Sequence, residues 1–137
     1  MKSIRPENKK TNAREYISSA RERLRSSKIL LDAESYGDSV SRSFYAFLDA
    51  ATAALITKDL MPRSHAGVID LFSLHFIKPE IVEKKYIRWF KGIKKNREEA
   101  DYRHKRRFSK EEAQEALEEA GEFVGVIEKL LPGLLKE

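Results

Sequence analysis

The sequence predicts an all-α fold, a helical bundle of four long helices plus one short helix, and three observations carry that expectation. Apolar residues recur at steps of three and four along nearly the whole chain, the period of a helix with one buried face. No run alternates apolar and polar residues as a half-buried strand would. Ser109 followed by Glu112 forms a capping-box pattern, which marks the start of a helix from short-range chemistry alone.

Each element follows from local signals. The first helix is expected from about Ala13 to Ser35, with Ile17, Ala20, Leu24, Leu31 and Ala33 facing inward, and Tyr36-Gly37-Asp38 breaking it. Asp38 is placed to cap a second helix, about Ser39 to Lys58, whose AFLDAATAALI stretch permits close helix packing. A connector around Pro62 leads to a short third helix over Ser64 to Phe76, ended by Lys78-Pro79. A fourth helix begins near Glu80 and carries Val82, Tyr86, Trp89, Phe90 and Ile93 inward. The last opens at Ser109, runs through Leu131 and stops at Pro132-Gly133. Residues 1–12, rich in Lys and Asn, read as a flexible basic tail, and 13–137 as a single domain.

Composition excludes several classes. Charged residues at 36% beside 41% hydrophobic ones describe a soluble, charge-covered globule. Without cysteine there is no disulfide framework and no thiolate metal site, which fits a reducing compartment. MKSIRPENKK is not followed by an apolar stretch, and the longest apolar run, Ala50 to Ile56, is far too short for a membrane span. A cytoplasmic protein without membrane attachment is expected. A Gly-rich phosphate loop, an HExxH pair and a Cys/His cluster are all missing from the sequence, so neither a cofactor nor a metal is expected.

The net charge of +5 is unevenly spread. Residues 1–28 hold nine Lys/Arg against three acids and residues 84–110 twelve against three, whereas 29–83 hold four against eight and 111–137 two against eight. Two basic faces of this kind attract a polyanion, while the acidic last helix repels one or pairs within the molecule.

Arg97 stands out because it occupies a position where a structural helix wants a hydrophobe. Ile93, Phe90 and Tyr86 precede it at steps of four, three and four, so Arg97 continues an apolar seam. Asp101 follows one turn on and His104 two turns on. His104 sits among Arg103, Lys105, Arg106 and Arg107, whose charges favour a neutral imidazole able to accept a proton beside phosphate. With Lys94 and Lys95, those four cations are the candidate nucleic-acid contacts. Tyr102 has two roles open to it, packing on the last helix or offering its hydroxyl to a phosphate. His65 reads as a polar residue satisfying a helix N-terminus, and His75 as a contact to a helix C-terminus. On the second helix Arg42, Tyr45 and Asp49 share a face. Asp49, embedded among alanines, needs a cationic partner, which is Arg42 or Arg97.

In order and spacing, SRSFYAFLDAATAAL, SHAGVIDLFSLHFIKPE, REEADY and SKEEAQEALEEAGEFV resemble the HEPN family, the "higher eukaryotes and prokaryotes nucleotide-binding" domains. The likeness spans about Ala13 to Leu131 and is strongest to the short prokaryotic branch often encoded beside a minimal nucleotidyltransferase. It implies a bundle that forms a homodimer with a cleft at the interface. It also implies, for many members, a metal-independent ribonuclease built on an Arg and a downstream His, acting as a toxin with the nucleotidyltransferase as antitoxin. Arg97 and His104, six residues between them, match that pattern at its long end. His104 would then take the proton of a ribose 2′-hydroxyl, Arg97 would neutralise charge on the phosphate, and Asp101 or Asp49 would hold Arg97 in place. A straight helix sets positions 97 and 104 ~10 Å apart along its axis, so either the chain bends after Tyr102 or one subunit's Arg97 serves the other's His104. The alternative is a non-catalytic RNA- or nucleotide-binding partner of the nucleotidyltransferase. Trp89 and Phe90, pointing in adjacent directions, offer surplus aromatic surface for the dimer.

Overall fold

The computed structural model describes residues 8–102 and 106–136, without the side chains of residues 100–102. Among them there are five helices and no strand: α1 (Lys9–Asp32), α2 (Tyr36–Ile56), α3 (His65–Phe72), α4 (Lys84–Tyr102) and α5 (Lys110–Leu134). Four are long and one is short, as the periodicity predicts.

The boundaries show where local signals mislead. α1 begins at Lys9, four residues before the expected Ala13, and ends at Asp32. The break falls on Glu34, whose φ of 64° turns the chain, while Gly37 lies inside α2. A glycine is the residue that adopts this geometry most cheaply, yet here a glutamate does so, and Ser35 donates its N–H to the Leu30 carbonyl to close the turn. Asp38 is consequently not the cap of α2 but a member of its first turn, where its charge still meets the helix's positive end. α3 widens after Phe72 into a π-helical turn, Ser73–Ile77, and Glu80, at φ 63°, redirects the chain into α4. The capping box of α5 is complete, Glu112 N–H donating to Ser109 Oγ and Ser109 N–H to Glu112 Oε1. Pro132 lies within α5 instead of ending it. Its missing N–H forfeits one helical bond near the terminus, and Leu135 N–H still reaches the Leu131 carbonyl.

α2 is the central helix and packs against the other four. Ala46, Ala50, Ala51, Ala53 and Ala54 are fully covered, so a helix apolar around its circumference is buried around its circumference. Phe47 stacks between Phe90 of α4 and Phe123 of α5, at 5.3 and 5.0 Å between ring centres. Each such side chain contributes about 1.5–3 kcal/mol by leaving water. Phe90 is wholly buried by this stack and Trp89 is half-buried against Tyr86, so the aromatic surplus on α4 is largely absorbed by the chain's own core. No helix among the described residues is long and apolar enough to cross a membrane.

Candidate functional site

The apolar seam of α4 ends as its spacing predicts. Tyr86, Phe90 and Ile93 are buried, and Arg97 continues their stripe in a half-buried position. Its guanidinium lies over two rings of α2, 5.2 Å from the centre of Phe44 and 5.1 Å from that of Tyr45, and Nη2 donates to the Tyr45 hydroxyl at 2.9 Å. Cation–π contacts of this sort fix the position of a guanidinium.

Tyr45 links Arg97 to a second group of charges. Arg23 of α1 lies 5.3 Å from the centre of the Tyr45 ring, and its Nε donates to Asp49 Oδ2 at 3.3 Å, where Ser19 Oγ also donates at 2.7 Å. The partner of Asp49 is therefore neither Arg42 nor Arg97. Arg42 is exposed, and Asp49 faces α1, one helix away from the pairing expected of it. The seam between α1 and α2 decides this, and no pattern within α2 reveals it.

His65 completes the group. Its ring is edge-on to Phe44 at 5.4 Å and to Tyr45 at 6.0 Å. Ser64, not His65, caps α3, accepting the Gly67 N–H at 2.9 Å. Burial first, then the positive charges of Arg97 and Lys94, push the imidazole below its ordinary value of 6.5, which favours the neutral ring near pH 7. The burial of Tyr16, with the charge of Asp49, pushes its phenol up. Tyr16, Arg23, Tyr45, Asp49, Arg63 and His65 line an open cleft of about 260 Å³. A roomier groove of about 930 Å³ lies between the π turn and the start of α4, but its walls hold lysines, Arg88 and glutamates without histidine or tyrosine. The smaller cleft has the chemistry.

The remaining candidates divide. Lys94 donates to Glu98 at 2.5 Å, and this bond holds the Glu98 carboxyl below its usual range, so the acid beside Arg97 is ionised and answered one turn back. Arg106 lies over Phe108 at 4.2 Å and donates to Glu112 at 2.7 Å. Lys95 and Arg107 are exposed. Asp101 and Tyr102 belong to the last turn of α4, without described side chains, and Arg103, His104 and Lys105 lie outside the described residues. Sequence reasoning left Arg23 and Ser19 aside and gave His65 a capping role. The one local cue for His65 is that Ser64 suffices as the cap of α3.

The model of the HEPN domain matches residues 13–130. A protein of Methanocaldococcus jannaschii named "Putative toxin MJ0605" is 39% identical over 119 residues, 87% of this chain and 88% of its own. A Thermotoga maritima protein named "UPF0332 protein" is 31% identical over 115 residues, 84% of this chain and 87% of its own. The crystal structure of TT1696 from Thermus thermophilus has the same fold, with a TM-score of 0.73 at 18% identity over 86% of this chain and 97% of that one.

Proposed function

Because the chain belongs to the HEPN family, we propose that it is a toxin-like ribonuclease that cleaves RNA without a metal ion at the cleft beside Arg97. One observation carries this reading: Arg97 is held by Phe44 and Tyr45, and Tyr45 in turn lines a cleft that contains a half-buried histidine. A positioned guanidinium stabilises the charge that develops on phosphate oxygens, and an imidazole moves protons at neutral pH. His104 is the histidine that spacing from Arg97 nominates for that transfer, and Asp101 and Tyr102 complete the last turn of α4. The ion pair of Glu98 with Lys94 offsets part of the negative charge that a phosphate would meet at this end of the helix.

The test is cleavage of RNA in EDTA by purified wild type, Arg97→Ala and His104→Ala. Cleavage by wild type and its loss in the Arg97 variant are expected, and equal background in every sample refutes the reading. A second reading draws on the exposed cations Lys95 and Arg107: an RNA- or nucleotide-binding partner of a minimal nucleotidyltransferase that retains RNA in a salt-sensitive way and does not cut it. A cytoplasmic homodimer belongs to both readings, and light scattering at micromolar concentration that gives only the 15.8 kDa monomer excludes the dimer.

A further inference from the structure

The described residues set a histidine beside Arg97 that spacing along α4 does not nominate. His65 and Arg97 come from different helices and stand over the same two rings, Phe44 at 5.4 and 5.2 Å and Tyr45 at 6.0 and 5.1 Å. The reading that treats His65 as an N-terminal cap fails, because Ser64 accepts the α3 amide at 2.9 Å. We propose that His65 is the general base of the site, its imidazole taking the 2′-hydroxyl proton of an RNA whose phosphodiester is held by Arg97. This rests on the ribonuclease reading and deepens it, moving proton abstraction from His104 to a residue of the cleft.

The step balances with water alone. As the 2′-hydroxyl proton passes to the imidazole, the 2′-oxygen forms a bond to phosphorus and the bond from phosphorus to the 5′-oxygen breaks. The 5′-oxygen leaves with the electron pair and takes a proton from a solvent water. The hydroxide so formed receives the proton held by the imidazolium, which restores the neutral base. The products are a 2′,3′-cyclic phosphate and a 5′-hydroxyl.

The surroundings keep the ring ready to accept a proton. Arg97 and Lys94 face it from α4, Tyr45 from α2, Arg63 from the connector before α3, and Tyr16, Arg23 and Asp49 across the cleft. The one carboxylate among these, Asp49, accepts from Ser19 and Arg23. The cations oppose a charge on the ring, and burial opposes it further.

The test is single-turnover cleavage of a labelled single-stranded RNA in EDTA, from pH 5 to 9, by wild type, His65→Gln, His65→Asn, Arg97→Ala and His104→Ala. Wild-type cleavage is expected to fall off on the acidic side, below about pH 6.5, as the base becomes protonated. Both His65 variants are expected to cut about 10²–10⁴-fold more slowly, to lose that acidic limb, and to bind RNA as wild type does. Loss of the acidic limb in His104→Ala together with its retention in His65→Gln assigns the base to His104 and overturns the role of His65. A His65→Gln enzyme that keeps the wild-type rate and limb while Arg97→Ala is inactive overturns the role of His65 and leaves the ribonuclease reading standing. Wild type that cuts no RNA overturns both. A wild-type profile flat from pH 5 to 7 overturns His65 as the base without requiring any variant to fold.

Discussion

Ser27, Ser39 and Ser43 meet on the seam between α1 and α2 near the turn that joins them, and Ser19, Arg23, Asp49 and Tyr45 meet farther along the same seam. The first cluster is completely buried and uses hydroxyls only. Ser27 Oγ donates to the Ser39 carbonyl at 2.9 Å, Ser39 Oγ donates to the Ser27 carbonyl at 2.9 Å, and the Ser27 and Ser43 hydroxyls lie 2.8 Å apart. Neutral groups can close on one another in this way with nothing left for solvent, and two helices are thereby held in register. The second cluster carries charge and borders the cleft. Holding charges half out of water gains little stability, since desolvation offsets attraction, but it supplies a local field and donors that a ligand can use. One seam thus contains a polar cluster that serves the fold and another suited to a ligand.

Arg97→Ala probes the functional side most severely. Cleavage is expected to fall about 10²–10³-fold, the usual loss when one charge-stabilising donor is removed, while the melting temperature moves by only a few degrees, as the guanidinium is half-buried. Collapse of the fold in this variant would make Arg97 structural. Ser27→Ala should reverse the pattern. Removing the hydroxyl shared by Ser39 and Ser43 is expected to cost about 1–2 kcal/mol in a denaturant melt and to leave cleavage within about twofold, because this cluster is fully buried and lines no part of the cleft.

Asp49→Asn lies between these. Its pair with Arg23 is not deeply enclosed, the two side chains being 11% and 35% exposed, so the expected cost is about 1 kcal/mol and not the ~3–5 kcal/mol of a buried pair losing one partner. The Asn variant should also alter RNA retention, since a negative charge leaves the cleft. Thermal melts that overlay wild type, together with unchanged retention, would remove Asp49 from both roles.

What could be read from the sequence was what short-range chemistry decides. Five helices follow from the apolar period, and the capping box of α5 from Ser109 and Glu112. Arg97 betrays itself by breaking the apolar stripe of α4. The first break was misplaced because a glutamate, not a glycine, takes the left-handed turn at residue 34. Asp49 had the right need and the wrong partner, since the register of α1 on α2 brings Arg23 and Ser19 to it. His65 is separated from Tyr45 and Arg97 in the sequence, and only packing sets all three around Phe44. Phe90 is surplus only on α4 taken alone, since Phe47 and Phe123 cover it from two other helices.

A third polar patch sharpens the contrast with the smallest effect. On α5, Glu115, Glu119 and Glu122 recur at steps of four and three, so they share one face. Burial first, then the charge and hydrogen bond of Glu115 and the charge of Glu122, raise Glu119 from 4.5 to about 7. Glu122 accepts from Tyr86 at 2.8 Å and pairs with Lys85 at 3.0 Å, whereas Arg23 answers Asp49 directly. A carboxyl raised in the folded state holds its proton more tightly there than in the unfolded chain. Its contribution to stability is therefore fully present below the ordinary carboxylate range and is lost as pH rises through 7. Glu119→Gln should accordingly melt close to wild type at pH 5 and above it at pH 8. The gain should be under about 1 kcal/mol, because solvent screens a side chain in an open groove. A difference that shrinks between pH 5 and 8 would mean that Glu119 is stabilised as an anion, which would make this patch resemble the Asp49 cluster after all.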